Sequence, residues 1–381
     1  MIPISQPSIT DLEKTYVKEA MDSTWISSAG EYLDRFESEF SSFCNTDYGI
    51  AVTNGTVGLH LTLLALGIGV GDEVLVPDFT FIASANTVVH AGATPVFVEI
   101  DETHLCMDVN KLEQYLTKRT KAIMPVHVYG HPANMTRINE FARQHNLLVI
   151  EDAAEAHGSK VNGSMVGGLG NAGVFSFFAN KNLTCGEGGM ITTNDKVLAD
   201  KCRLLRDQAM RSDKKYWHPE IGYNFRMSNL HAAIGCAQLE RQHELLSKRK
   251  RIYELYCQNL SNFPAFKLNN TCSWAQNSYW MVCLELEGYT YEQRDNLITT
   301  LFENGVDSRP YFYPCSAMPY FESANHDVCS RVSKRGINLP TFYDLQESEI
   351  DYICDVLIHY LLKRETSNHK FVQTISDRIN L

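Results

Sequence analysis

A chain of 381 residues, 44% of them hydrophobic and 21% charged, has an ordinary globular balance and is long enough for one large domain with a smaller partner. Its formal net charge of −11 argues against nonspecific binding to nucleic acid or to an anionic membrane, and no apolar run has the length of a membrane span or the form of a signal peptide. Eleven cysteines are scattered singly without a C-x-x-C pair, several of them in apolar periodic segments (Cys202, Cys236, Cys257, Cys283, Cys354), and thirteen histidines lack ligand spacing. The expectation is packed, reduced thiols in a cytoplasmic protein, with no protein-bound metal.

In chain order, residues 10–22 read as a helix, with Thr10 and Glu13 as a capping box and Leu12, Tyr16 and Ala20 on one face; a second helix starts near Glu31, where Leu33, Phe36 and Phe40 recur at helical spacing. Between them, Trp25 to Gly30 is turn-rich. Tyr48 to Val52 reads as a strand, Thr53-Asn-Gly-Thr56 as a turn and Val57 to Leu66 as a helix. A helix start offers free N–H groups and the positive end of the dipole to a phosphate, although Asn-Gly is equally ordinary turn chemistry. Glu73 to Val76 is a strand ending at Pro77, Asp78 to Phe81 opens the next helix, Pro95 to Ile100 and Lys121 to Val128 are further strands, and Thr136 to His145 is a helix. The alternation predicts an α/β fold with a doubly wound, mostly parallel central sheet.

The next stretch carries the chemistry. Leu147 to Ile150 is an apolar run of the kind buried on both faces, and it ends on Glu151 and Asp152. In open α/β sheets ligands sit beyond the carboxyl ends of strands, where Asp152 falls. A second apolar run, Gly173 to Phe178, is followed by a lone lysine, Lys181. A lysine amine can form a Schiff base with a cofactor aldehyde, and a carboxylate can keep a pyridine nitrogen protonated, so the pair suggests a pyridoxal phosphate site. Taken alone, the same two residues also fit a solvated turn lysine and a helix-capping acid. Gly168-Leu-Gly-Asn-Ala-Gly173 matches G-x-G-x-x-G but precedes a strand and opens no helix, so dinucleotide binding is set aside.

Further on, residues 195–210 form a helix and 228–260 one long helix or two joined ones. After Leu260 the texture changes: a loop at 269–273, an alternating strand from Tyr279 to Leu286, a helix from Tyr291 to Asn304 and a closing amphipathic helix from Glu347 to Tyr360. The expected division is a large domain over 1–250, a small α+β domain over 251–365 and a polar tail over 366–381.

Glu151-Asp-Ala-Ala-Glu-Ala-His-Gly158, Ser176-Phe-Phe-Ala-Asn-Lys181 and Gly186-Glu-Gly-Gly189, in that order and spacing, resemble the signature of the DegT/DnrJ/EryC1/StrS sugar aminotransferases. Ser23 to Ser28, Tyr129 to Pro132 and Ser308 to Pro314 extend the similarity, which covers residues 1–362. The resemblance implies a PLP-dependent transferase of fold type I, related to aspartate aminotransferase, working as a homodimer with shared active sites. It implies that Lys181 holds pyridoxal 5'-phosphate and shuttles the proton, that Asp152 faces the pyridine nitrogen, and that Phe81 stacks on the ring with Glu155 near the ring hydroxyl. The phosphate then falls to the amides of Thr56 and Val57, the Ser176 hydroxyl and Asn224 of the neighbouring subunit. Trp25, Arg309, Tyr311 and Tyr313 are implied to face the substrate. The implied reaction moves an amino group from L-glutamate to C4 of a nucleotide-linked 4-keto-6-deoxy sugar, with GDP-4-keto-6-deoxy-D-mannose ahead of the UDP- or dTDP-linked glucose analogue.

Three other readings are weighed. Sugar dehydratases of similar sequence carry histidine in place of the lysine, so Lys181 speaks against them. A noncatalytic PLP-binding regulator would be expected to carry an N-terminal DNA-binding domain. A nucleotide-sugar binding protein without turnover is disfavoured by the presence together of Asp152, Ser176 and Lys181.

Overall fold

The computed structural model describes residues 1–379, with side chains through Lys363. Helices α1 (Asp11–Asp22) and α2 (Glu31–Phe43) lead into an alternation of β1 (Tyr48–Val52), α3 (Gly55–Ala65), β2 (Glu73–Pro77), α4 (Ala83–His90), β3 (Thr94–Val98), β4 (Thr120–Ile123), α5 (Met135–His145) and β5 (Leu148–Asp152). A small hairpin, β6 (Lys160–Val161) and β7 (Ser164–Met165), precedes β8 (Ala172–Ser176), β9 (Gly189–Thr193), α6 (Lys196–Arg206), α7 (Asn229–Glu240) and α8 (Gln242–Leu260). The chain continues through β10 (Phe266–Leu268), β11 (Ala275–Gln276), β12 (Val282–Leu286), α9 (Tyr291–Glu303), β13 (Arg309–Pro310), α10 (Asp327–Arg335), β14 (Gly336–Leu339) and α11 (Glu347–Ile379).

The expected capping box starts α1: Glu13 accepts the Thr10 N–H at 2.7 Å, and the Thr10 side chain caps the helix in return. On α2 the periodic residues Leu33, Phe36 and Phe40 are all buried, and Phe36 and Phe40 meet Phe177 and Phe175 edge-on at 5.0 and 4.9 Å. Such aromatic pairs add about 0.5–1.5 kcal/mol each beyond the area they bury. They fix α2 against the strand that leads to Lys181.

The central sheet has seven strands in the order β1-β9-β8-β5-β4-β2-β3. Strands β3, β2, β4, β5 and β8 pair in parallel, while β9 pairs antiparallel with both β8 and β1, so β9 alone runs against the rest. Every residue of β2 and β8 is buried, as expected of strands covered by helices on both faces. The fold class read from the sequence is the one observed.

Several boundaries move. The strand expected over 121–128 stops at Ile123, because Pro125 has no N–H to give; beyond it the Pro125 carbonyl accepts Asp152 N–H and His127 N–H donates to the Asp152 carbonyl. The helix expected to open at Asp78 starts at Ala83, leaving 78–82 as a loop at the mouth of the sheet. The 228–260 stretch is two helices meeting at Arg241. Toward the C-terminus an antiparallel sheet, β10-β12-β14-β13, packs around Ile252, Tyr256, Leu284, Leu297, Leu339 and Ile353. The division expected at 250/251 falls inside the continuous helix α8. The closing helix is α11, and the expected polar tail at 366–381 lies where side chains, and at its end the backbone, are outside the described residues.

Candidate active site

The last two residues of β5 point to different tasks. Glu151 is fully buried and accepts N–H bonds from Gly167, Leu169 and Gly170 at 2.7–2.8 Å, with His127 Nε2 at 3.0 Å. The glycine-rich passage is thus folded onto the protein's own carboxylate, and those amides are already engaged. Asp152, the next residue, faces the other way. Its Oδ2 accepts the Ser84 hydroxyl at 2.7 Å and its Oδ1 the Ala154 N–H at 3.1 Å. Burial pushes the Asp152 carboxyl up, against these two hydrogen bonds and the field of Lys181, all of which favour the charged form.

Lys181 follows a turn closed by its own N–H on the Phe178 carbonyl at 2.9 Å. Its Nζ lies 3.9 Å from Glu155 Oε1 and 3.9 Å from the centre of the Trp280 ring. Burial lowers the basicity of this amine, and the two carboxylates Glu155 and Asp152 only partly restore it. Burial also raises Glu155 to about 7, opposed by Lys181 and by the Tyr129 N–H that donates to it at 2.8 Å. Both shifts run in the same direction: desolvation outweighs the attraction of the pair and favours a neutral amine beside a neutral acid. A lysine with its basicity lowered in this way is better suited than a solvated one to accept and return a proton.

The start of α3 has the form of an anion site. The Asn54 side chain caps the helix by accepting Val57 N–H at 3.0 Å. That cap bears on the phosphate expectation for the Thr56 and Val57 amides: the Val57 amide is engaged by Asn54, whereas those of Gly55 and Thr56 have no partner among the described residues. Ser176, the last residue of β8, lies against this turn, since a Cβ on Gly55 would come within 3.0 Å of the Ser176 Cβ. Gly189 lets β9 approach equally closely: a Cβ there would sit 2.5 Å from the Asn54 carbonyl. A buried carboxylate, a desolvated lysine and a helix start with free amides beside a serine are the donor set that pyridoxal 5'-phosphate requires, and the two glycines make room for the cradle.

Phe81 lies in the 78–82 loop, 57% exposed, with its ring 6.2 Å from that of Phe312. Asn224 is exposed, its Oδ1 bonded by Arg226 Nε at 3.1 Å. Trp25 is exposed, its carbonyl accepting Asn229 Nδ2 at 2.7 Å. Arg309 is exposed and bonds Asp307 at 2.7 Å, and the Tyr313 hydroxyl accepts from Arg294 at 2.9 Å. Tyr311 departs from the expectation of a substrate contact. It is 1% exposed and wedged between Phe79, Tyr129 and the backbone of Gly336, whose carbonyl accepts the Tyr311 N–H at 3.0 Å and holds this ring in the core.

Three residues have a part in the site that the sequence does not assign: Ser84, which bonds Asp152; Tyr129, named above only within the Tyr129 to Pro132 similarity, whose N–H bonds Glu155; and Trp280, whose ring faces Lys181. A serine in a helix and a tryptophan in an apolar run carry no local signal. The fold also gathers His104, Cys106 and His131, whose ligand-type atoms lie within 4.8 Å of one another. Their atoms already have partners in the chain: His131 Nδ1 on the Pro132 carbonyl, His131 Nε2 on Cys272 N–H, His104 Nδ1 on Cys106 N–H, and the Cys106 thiol on the His131 carbonyl.

The sequence pattern of the DegT/DnrJ/EryC1/StrS aminotransferase family matches residues 7–358. The chain is 46% identical over 356 residues to the GDP-perosamine synthase of Escherichia coli O157:H7, covering 93% of this chain and 97% of that protein. It is 41% identical over 364 residues to the GDP-perosamine synthase of Vibrio cholerae, covering 94% and 99%. Among solved structures it is similar to the aminotransferase TlmJ from Streptoalloteichus hindustanus, with a TM-score of 0.91, 28% identity and coverage of 96% of this chain and 100% of that one.

Proposed function

The chain belongs to the DegT/DnrJ/EryC1/StrS aminotransferase family, and we propose that it moves the amino group of L-glutamate to C4 of GDP-4-keto-6-deoxy-D-mannose, giving GDP-perosamine. It is a pyridoxal 5'-phosphate-dependent aminotransferase. The observation that carries the reading is the buried Asp152 at the end of β5 together with the desolvated Lys181. The GDP-sugar assignment is supported by relatives of that name at 41% and 46% identity over nearly the whole chain.

The bound cofactor supplies a ring that spreads negative charge developing at the reacting carbon. Asp152, held by Ser84 and Ala154, offers its carboxylate to the ring nitrogen and keeps a proton there. The Gly55 and Thr56 amides and the Ser176 hydroxyl hold the phosphate, using the positive end of α3. Lys181 Nζ, with its basicity lowered by burial, takes the proton from the substrate carbon and returns it in the second half of the reaction. Glu155, 3.9 Å from that nitrogen, favours its protonated form by charge attraction.

We further propose a homodimer in which Asn224 reaches the neighbouring subunit's phosphate, supported by its exposure in this chain. Eleven free cysteines, most of them buried, support work in a reducing compartment such as the cytoplasm. No helix among the described residues is long and apolar enough to cross a membrane. The test is incubation of the purified holoenzyme with glutamate and each of GDP-4-keto-6-deoxy-D-mannose and the UDP- and dTDP-linked 4-keto-6-deoxy-D-glucoses, following 2-oxoglutarate and the mass of the sugar product. Fastest turnover of the GDP sugar is expected. Preference for a UDP or dTDP sugar would overturn the nucleotide assignment, and no turnover of any of them would favour a binding protein.

A further inference from the structure

The backbone around Lys181 is tied down at the carbonyls of both its chain neighbours. The carbonyl of Asn180 accepts the indole N–H of Trp280 at 2.8 Å, and the carbonyl of Asn182 accepts the hydroxyl of Tyr343. Both aromatics belong to the C-terminal part of the chain, and one residue holds both. Arg249, on α8 and fully buried, donates Nη1 to the Trp280 carbonyl at 3.1 Å and to the Thr341 carbonyl, and its guanidinium carbon lies 4.6 Å from the centre of the Tyr343 ring. The Trp280 ring is also stacked on Tyr129 at 6.1 Å with an interplanar angle of 24°. Trp280 is therefore fixed through its backbone, its indole nitrogen and one neighbouring ring, and it is 6% exposed.

A lysine nitrogen 3.9 Å from the centre of an indole ring is well inside cation–π range, and the interaction grows when water is excluded. We propose that Trp280 is a positioning residue of the aminotransferase, its ring being the seat on which the Lys181 ammonium rests whenever the amine is not bonded to the cofactor. The seat does what the nearby carboxylates cannot do alone. Glu155 and Asp152 attract the ammonium, while the desolvation that surrounds all three favours the neutral amine. His157, which the Lys181 charge reaches, is buried, and burial with that charge lowers its pKa to about 3. A rigid π-face lends the charged form some support without adding another titrating group, and it holds Nζ at one place from which it returns to the reacting carbon.

The proposal rests on Lys181 being the catalytic amine. Its test uses the full-length protein stripped of pyridoxal phosphate, so that it reads the lysine itself and not turnover. The rate at which acetic anhydride acetylates Lys181, followed by peptide mass spectrometry across pH, gives the apparent pKa of the amine in wild type, Trp280→Phe and Trp280→Leu. Phenylalanine keeps a π-face and leucine does not, at comparable bulk. The expected result is a pKa lower by about half a unit or more in the leucine variant, with the phenylalanine variant between it and the wild type. Trp274→Leu serves as a control and should leave Lys181 unchanged. An equal or higher pKa in Trp280→Leu, with near-ultraviolet circular dichroism showing an intact fold, would overturn the proposal. If the leucine variant fails to fold, equality of the phenylalanine variant and wild type overturns it instead. The half-reaction of the intact holoenzyme with glutamate, run in parallel, fails only if the aminotransferase reading fails.

Discussion

The Ser84 hydroxyl donates to Asp152 Oδ2 at 2.7 Å, joining the first turn of α4 to the end of β5. That bond favours the charged form of a buried carboxylate, against the burial that pushes it up. Removing it in Ser84→Ala leaves burial less opposed, so the Asp152 carboxyl titrates at a higher pH. A hydrogen bond to a charged group contributes about 1.5–3 kcal/mol, so kcat should fall roughly tenfold or more at neutral pH, and the acid limb of the kcat profile should move upward. Steady-state kinetics across pH checks this, and an unmoved profile would contradict it.

The cradle at the start of α3 depends on a missing side chain. A Cβ on Gly189 would lie 2.5 Å from the Asn54 carbonyl and 2.9 Å from the Gly55 nitrogen, and both are backbone that cannot swing aside. Gly189→Ala must displace the turn that carries the two free amides. At a typical overpacking cost of about 1–3 kcal/mol, pyridoxal phosphate should bind roughly tenfold or more weakly, as read by titration of the stripped protein. An unchanged Kd would show that the amides of Gly55 and Thr56 do not hold the phosphate.

Glu155 makes a pH prediction with a definite sign. Its carboxyl is raised from an ordinary 4.5 to about 7, so between those values the folded chain holds more protons than the unfolded one. Stability of the stripped protein should therefore fall from this source as pH rises from about 4.5 to 7. Glu155→Gln removes the titration, and its denaturant midpoint should lose that decline while keeping the rest of the wild-type profile. Parallel profiles for the two proteins would contradict the shift.

His157 predicts the opposite slope. It is fully buried beside Phe175 and Phe177, with neither ring nitrogen hydrogen-bonded among the described residues, and burial holds it at about 3 instead of 6.5. Between those values the unfolded chain binds the extra proton, so the wild type loses stability as pH falls from 6.5 toward 3. His157→Leu should flatten that loss and, by removing two unsatisfied polar atoms, raise stability at neutral pH by about 1 kcal/mol. Thermal unfolding at several pH values decides it; a variant that unfolds as readily in acid as the wild type would contradict it.

What the sequence reveals here is whatever repeats or stands at a strand end. Phe36 and Phe40 declare α2 by their spacing, and Asp152 declares itself by ending a buried run. Strand β9, Gly189–Thr193, gives no indication in its sequence that it runs against its neighbours. Tyr311 and Tyr313 look alike in the chain, two residues apart, and alternation alone would put them on one face; strand β13 ends at Pro310, and beyond it Tyr311 is buried against Gly336 while Tyr313 stays 43% exposed. Ser84, Tyr129 and Trp280 reach the site only through contacts 68, 26 and 100 residues distant in sequence, to Asp152, Glu155 and the Asn180 carbonyl beside Lys181. No local pattern can carry those.

The central claim is that Lys181 and Asp152 run a transamination. The most direct measurement is the visible absorbance of the holoenzyme before and after L-glutamate, with Lys181→Ala alongside. The wild type should show a cofactor band that glutamate moves to shorter wavelength and that added GDP-4-keto-6-deoxy-D-mannose restores, while Lys181→Ala should be unable to complete the cycle. A band indifferent to glutamate in the wild type, or an alanine variant that cycles as well as the wild type, would contradict the account.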